Sequence, residues 1–253
     1  MSGVDISHYQ KGLTIRQIKD AGYEFAIIKL TEGTWLVDSA AFDFYREAYE
    51  LGFPVGCYCY SHATNAPQAM AEAAYLLEAI NGFPMPCGIF LDIEEPKQLG
   101  LTHDELLNVI RGWCAGIGGK GYIPGVYSSE GTLWAKISPD ELPDGCLVWV
   151  AHYGKQPDVA CDLWQSSDSG RVDGYDGPVD TDEVRSAYFE ALVLRGFPER
   201  EPEPDEGDAP DDEKPDGETP DVSGALQLLA GYIQTPEFAA GLMQYIKETE
   251  GTK

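Results

Sequence analysis

From residue 3 to residue 129 the chain alternates short β-rich runs with amphipathic helical stretches. A strand reached from its predecessor through a helix returns parallel to it, so repeated units of this kind build a parallel sheet. The strand readings are residues 3–7, 25–31, 54–62, 87–94 and 123–129. Between the first two, Thr14-Ile15-Arg16-Gln17 has the form of a capping box and Gly22 marks a helix end. Asp38 reads as the cap of a second helix with Phe42, Tyr45 and Tyr49 on one face, closed by Gly52. Met70, Ala73, Leu77 and Ile80 fall at helical spacing within 65–80, and Leu106, Ile110, Trp113 and Ile117 within 103–117. Beyond residue 129 the helices thin out. Residues 147–153, 162–168 and 178–184 read as strands joined by loops, and 188–194 as a closing helix. The expected fold class is α/β: an irregular (β/α) TIM-like barrel of eight strands, with helices missing or short in the second half.

Residues 1–198 hold this pattern, and two different materials follow. Residues 199–221 are rich in Pro, Asp, Glu and Gly with almost nothing to bury, the composition of an extended, self-repelling linker. In residues 222–253, Val222, Ala225, Leu226, Leu229 and Ile233 fall at helical spacing, as do Phe238, Leu242, Tyr245 and Ile246, with Pro236 between the runs. They predict a short helical hairpin, too small to fold without a partner surface. The readings for it are self-association into a homo-oligomer, binding of a target, or docking on the barrel.

Charge and composition exclude several function classes. The net charge is −26, divided as −15 over residues 1–198, −10 over 199–221 and −1 over the rest. Such a polyanion repels nucleic acid and anionic membranes, so neither is an expected partner. No apolar run reaches the length of a membrane span. The start, Met1-Ser2-Gly3-Val4-Asp5-Ile6-Ser7, has neither a basic n-region nor an apolar h-region, so a secretory signal is not expected. The six cysteines, at 57, 59, 87, 114, 146 and 161, form no CxxC and lie mostly in apolar segments, as buried thiols of a chain made in a reducing cytoplasm would.

The chemistry concentrates at strand ends. Leu91-Asp92-Ile93-Glu94-Glu95 closes an apolar run. On a strand, Asp92 and Glu94 share a face, and ionised carboxylates are costly to bury unpaired. Barrels place their sites at the C-terminal ends of strands. Asp5 lies in the first strand and Asp180 and Asp182 in the last, and closure makes those two strands neighbours. Tyr58, Tyr60, Tyr127, Trp149, Tyr153, Trp164 and Gln165 lie at or near other strand ends. Carboxylates ringed by aromatic faces describe a sugar-binding groove, because pyranose rings stack on aromatics while acids and amides bind hydroxyls.

Seven motifs in order carry a resemblance. They are Gly3-Val4-Asp5-Ile6-Ser7 with Gln10, Ile28-Lys29-Leu30-Thr31-Glu32-Gly33, Phe90-Leu91-Asp92-Ile93-Glu94, Gly125-Val126-Tyr127-Ser128, Trp149-Val150-Ala151-His152-Tyr153, Leu163-Trp164-Gln165 and the run from Asp173 to Asp180. Over residues 3 to about 184 the chain resembles glycoside hydrolase family 25, the lysozymes typified by fungal and phage muramidases. The resemblance implies hydrolysis of the β-1,4 bond between N-acetylmuramic acid and N-acetylglucosamine in peptidoglycan glycan strands. It implies Glu94 as general acid, Asp92 as the group that orients the substrate's acetamido, and Asp5 and Asp180 as the rest of an acidic floor. Tyr60, Tyr127 and Gln165 would line the groove, with Lys29, Tyr153, Trp164 and Asp182 among its substrate-binding set. Asp182 departs from the family, whose members often carry Asn there.

Blander readings stand beside these. Asp5 and Asp180 would also serve as a structural pair with Lys29. Trp164 divides between groove and core, and Glu32 between a substrate role and a loop-stabilising hydrogen bond. His62 and His152 divide between substrate contact and packing. Glu95 should face away from Glu94. No calcium loop of the EF-hand kind occurs, and neither metal nor cofactor is expected. In the cell, the expectation is a phage or prophage endolysin that reaches the wall through a holin-type lesion or on lysis. The competing reading is a barrel that binds peptidoglycan without cutting it; such a chain would have lost Asp92 or Glu94, and this one keeps both.

Overall fold

The computed structural model describes residues 1–198, so the acidic segment 199–221 and the tail 222–253 lie outside the described residues. The strands are β1 (Ser2–Ile6), β2 (Phe25–Glu32), β3 (Leu36–Val37), β4 (Val55–Tyr60), β5 (Ile89–Asp92), β6 (Pro124–Ser129), β7 (Leu147–Ala151), β8 (Leu163–Gly170) and β9 (Val179–Val184). Eight of them close a barrel in the order β1-β9-β8-β7-β6-β5-β4-β2, and β2 pairs back onto β1. The short β3 was not expected; it folds back antiparallel on the end of β2.

Neighbours from β1 and β2 through to β8 are parallel, but β9 runs antiparallel to both β8 and β1. The physical reason is the connection. A parallel return needs a crossover element, and no helix lies between β8 and β9. The helices are α1 (Ile15–Asp20), α2 (Ala41–Leu51), α3 (Ala66–Ile80), α4 (Pro96–Leu99), α5 (His103–Gly118) and α6 (Ala187–Arg195). From β6 to β9 the only helical turn is a 3₁₀ segment, Pro139–Glu141. None of the described helices is long and apolar enough to cross a membrane.

Helix starts follow local chemistry. Thr14 and Gln17 form the capping box of α1, Asn65 caps α3, and Thr102 with Glu105 boxes α5. Asp38 does not cap α2, whose first residue is Ala41. Its Oδ1 accepts the Ala40 N–H at 2.9 Å just ahead of the helix, while its Oδ2 accepts the His8 backbone N–H at 3.1 Å and faces His8 Nδ1 at 2.6 Å. The buried stripe of α2 is Ala41, Phe44, Tyr45 and Ala48, while Phe42 is exposed. An aromatic at either 42 or 44 satisfies the helical spacing, and only the packing against the barrel chooses.

Strand alternation sorts the core into two clusters. One set, including Val4, Ile6, Ile28, Val55, Leu91, Val126 and Val150, packs outward against the helices. The other, including Phe25, Ile27, Phe90, Leu147, Trp149 and Leu163, belongs to the opposite face. Glycines make room for the large rings there. A Cβ on Gly125 would lie 2.3 Å from Phe90 Cδ1, and one on Gly3 2.4 Å from Phe25 Cζ. All six cysteines are free, with Cys114 Sγ and Cys146 Sγ 3.6 Å apart.

Candidate active site

The inward face of each strand begins apolar and ends polar. β2 runs Phe25, Ile27, Lys29; β5 runs Phe90, Asp92; β6 runs Gly125, Tyr127; β8 runs Leu163, Gln165. The polar ends open a cleft of about 490 Å³. Register brings its acids together from distant sequence. Asp5 on β1 pairs with Asp180 on β9, and on β5 Asp92 has Tyr60 and Tyr127 as flanking partners. Asp5, Asp92, Glu94 and Asp180 all line the cleft, as do Lys29, Glu32, Tyr60, Tyr127 and Gln165.

Asp92 is the last residue of β5 and is 4% exposed. Its Oδ1 is buried without a hydrogen-bond partner among the described residues, an acceptor that a bound donor would satisfy. Burial, then the nearby Glu94, pushes its carboxyl well above the ordinary range, with Lys29 opposing. Glu94 lies two residues beyond the strand. Its side chain is open to solvent through the mouth of the cleft, yet enough protein surrounds it that desolvation, reinforced by Asp180, raises its pKa. Asp180 is half-buried and pushed up to about 6 by burial and then by Asp168. Asp5 is raised by burial first, then by Asp182 and Asp180.

Hydrogen bonds fix the floor and one wall. Gln165 is a hub: its Nε2 donates to Asp5 Oδ2 at 2.7 Å, and its Oε1 accepts from Tyr127 at 2.8 Å and from Tyr153 at 3.0 Å. On the wall, Lys29 Nζ donates to Glu32 Oε2 at 2.8 Å and sits 5.0 Å over the Tyr60 ring. Burial raises Glu32, but hydrogen bonds from Lys29 and His62 outweigh it and hold its carboxyl low. Lys29 therefore neutralises Glu32 rather than bridging Asp5 and Asp180.

Two residues expected to bind substrate, Trp164 and Asp182, do not line the cleft. Trp164 is 9% exposed, its indole N–H donates to the His152 carbonyl at 2.8 Å, and Arg185 stacks on its ring. It occupies the strand face opposite Gln165, and alternation sends it outward. Asp182 is fully buried and accepts the Trp149 indole N–H at 2.8 Å. Tyr153 stays beside the cleft: it is half-exposed, its hydroxyl donates to Gln165 Oε1 at 3.0 Å, and burial, then the charges of Asp180 and Asp5, push that hydroxyl up. Glu95 does line the cleft, where it accepts the Tyr60 hydroxyl at 3.0 Å. The strand period that turned it away stops at Asp92, because the chain bends there and Glu95 opens α4. Tyr9 also lines the cleft, 78% exposed in a 3₁₀ turn that no periodicity announces. His62 bridges Glu32 at 3.2 Å and Glu95 at 3.8 Å, and His152 contacts Glu130. Among the described residues, no group of three or more His, Cys, Asp or Glu side chains is arranged to hold a metal ion.

The model of the family described as "Glycosyl hydrolases family 25" matches residues 4–175. The "Autolytic lysozyme" of Clostridium acetobutylicum is 32% identical over 199 residues, 78% of this chain; the match spans only 58% of that relative's length. Among solved structures, a bacterial lysozyme from Streptomyces coelicolor superposes with a TM-score of 0.66 at 27% identity, over 77% of this chain and 96% of that one. The catalytic domain of endolysin ply40 from bacteriophage P40 of Listeria monocytogenes gives 0.65 at 25% identity, over 76% and 97%.

Proposed function

The chain belongs to glycosyl hydrolase family 25, and from that premise we propose that it is a muramidase, which hydrolyses the β-1,4 bond between N-acetylmuramic acid and N-acetylglucosamine in bacterial peptidoglycan. The observation that carries the reading is the unlike pair at the end of β5. Asp92 is buried with an unpartnered carboxyl oxygen, and Glu94 opens onto the cleft with a raised pKa. Two carboxyls whose environments differ in this way divide acid chemistry from substrate orientation.

Glu94 keeps its proton into a higher pH range than a free glutamic acid and delivers it to the glycosidic oxygen as the C–O bond breaks. Asp92 accepts the N–H of the substrate's acetamido group. That orients the acetamido oxygen to attack the anomeric carbon from the opposite side, the substrate-assisted form of retaining hydrolysis. Water then opens the cyclic intermediate, giving its proton to the Glu94 carboxylate. Asp5 and Asp180 stabilise positive charge that develops on the ring. Tyr60 and the exposed Tyr9 offer ring faces to the sugar, above the buried rings of Tyr127 and Trp149 at the floor.

In the cell we propose an endolysin's role, supported by the likeness to the phage P40 enzyme. The test of the activity is release of reducing ends from purified Gram-positive peptidoglycan by the intact chain and by Glu94→Gln. Release that falls by about 10²-fold or more in the variant is expected of a lost general acid. Glycan binding without release by the wild-type chain, on walls from several species, would overturn the reading in favour of a binding barrel.

A further inference from the structure

Asp182 lies under the cleft, where the reaction just described does not touch it. It belongs to β9, opposite Gly3 of β1 and opposite Gln165 of β8, and it is 0% exposed. Its Oδ1 accepts the Trp149 indole N–H, while its Oδ2 is buried with no hydrogen-bond partner among the described residues. An ionised carboxylate with a dry, unpartnered oxygen is among the costliest groups a fold can bury. A carboxylic acid has an O–H to give, and needs an acceptor for it.

The available acceptor is Asp5. Register sets Asp5 opposite Asp180 and Gly3 opposite Asp182, so Asp5 and Asp182 are diagonal neighbours across β1 and β9, within side-chain reach. Gly3 carries no side chain to separate them. Asp5 is itself 7% exposed, and its Oδ2 is held by Gln165. The titratable groups that face this pair are Asp180 from β9, Asp92 from β5 and Tyr58 from β4, all acidic. Trp149 from β7 and Gln165 from β8 contribute neutral hydrogen bonds. The cleft's lysine, Lys29, is hydrogen-bonded to Glu32. Two negative charges on the pair would therefore lie side by side in the floor, with no cation among the described residues against them.

We propose that Asp5 and Asp182 share one proton, and that Asp182 is a positioning residue which holds Asp5 in place at the cleft floor with a single charge between them. Burial first, then neighbouring carboxylates, pushes both acids well up, in keeping with the shared proton. The pair titrates as a unit. When the proton leaves at higher pH, the two carboxylates repel and the floor is displaced, so hydrolysis declines on the alkaline side. Asparagine at 182 would supply a permanent N–H donor with no charge to gain.

The activity arm of the test rests on the muramidase reading, and the spectroscopic arm does not. Hydrolysis of purified peptidoglycan is measured against pH for wild type, Asp182→Asn and Asp182→Leu, with circular dichroism as the check on folding. The Asn variant is expected to match the wild type in mild acid and to extend its alkaline limb by about one pH unit, about tenfold in rate at a fixed pH on that limb. The folded Leu variant is expected to lose about tenfold or more at every pH, because Asp5 then keeps only the Gln165 donor and loses the one from position 182. Superimposed wild-type and Asn profiles, or an Asn variant inactive throughout, would overturn the proposal. In parallel, carbon NMR of carboxyl-labelled aspartate follows protonation directly. A carboxyl that titrates far above the usual range in wild type, and is absent from Asp182→Asn, supports the shared proton; ordinary titration of every aspartate refutes it. If the wild type releases no sugar, the muramidase reading fails and the NMR arm alone decides this one.

Discussion

Raising the pH from 4 to 7 should destabilise this barrel, the reverse of the common behaviour in which paired carboxylates strengthen a fold as they ionise. Asp180 provides the magnitude. Its carboxyl is pushed from the ordinary 3.8 to about 6, chiefly by burial. A group raised in the folded state binds its proton more tightly there than in the unfolded chain. Its contribution is therefore complete below 3.8 and is lost as pH climbs through about 6. Fully expressed, that amounts to about 3 kcal/mol, and about half of it survives for a side chain that solvent partly reaches. Asp5, Asp92 and Asp182 are raised for the same first reason and act in the same direction. Glu32, whose carboxyl is held low, opposes them only below the ordinary glutamate range. The assay is urea unfolding of the full chain at closely spaced pH values, alongside Asp180→Asn. The wild-type midpoint should fall from pH 4 to pH 7, and the variant should lose part of that slope while gaining stability at pH 7. Stability that rises across this window in the wild type, or an unchanged slope in the variant, would refute the claim that burial governs these acids.

Three further outcomes follow from the packing. Gln165→Leu leaves the buried Asp5 carboxyl and Tyr127 hydroxyl without their partner, and should cost about 2–5 kcal/mol in urea unfolding; a loss under about 1 would mean the amide is not the hub of the floor. Gly125→Ala sets a methyl 2.3 Å from the fully buried Phe90 ring, and should lower the melting temperature by about 2–8 °C, read by calorimetry. Trp164→Phe should leave peptidoglycan hydrolysis near wild type, since its ring lies outside the cleft, whereas Trp149→Phe removes the N–H held by Asp182 and should cost about tenfold in rate; equal effects would contradict the placement of the two indoles.

The sequence by itself determined the elements that local chemistry dictates. The capping box at Thr14 starts a helix where the sequence places it, and the apolar runs at 25–31 and 123–129 are strands. The acids at strand ends were legible for the same reason, because a carboxyl after an apolar run stands out along the chain. What only the tertiary structure decided depends on partners remote in sequence. The antiparallel return of β9 follows from a helix-free connection and from closure onto β1. Phe44 rather than Phe42 meets the barrel because α2 is rotated by its neighbours, not by its own spacing. Glu95 enters the cleft because the strand stops at Asp92, and periodicity cannot announce its own end. Trp149 and Trp164 are equally aromatic and equally near strand ends, and only the phase of each strand within the closed barrel sends one inward and the other out. Local patterns set which residues could form a site; the shear and closure of the barrel selected which of them share it, because side-chain direction alternates along a strand and proximity across strands is set by register.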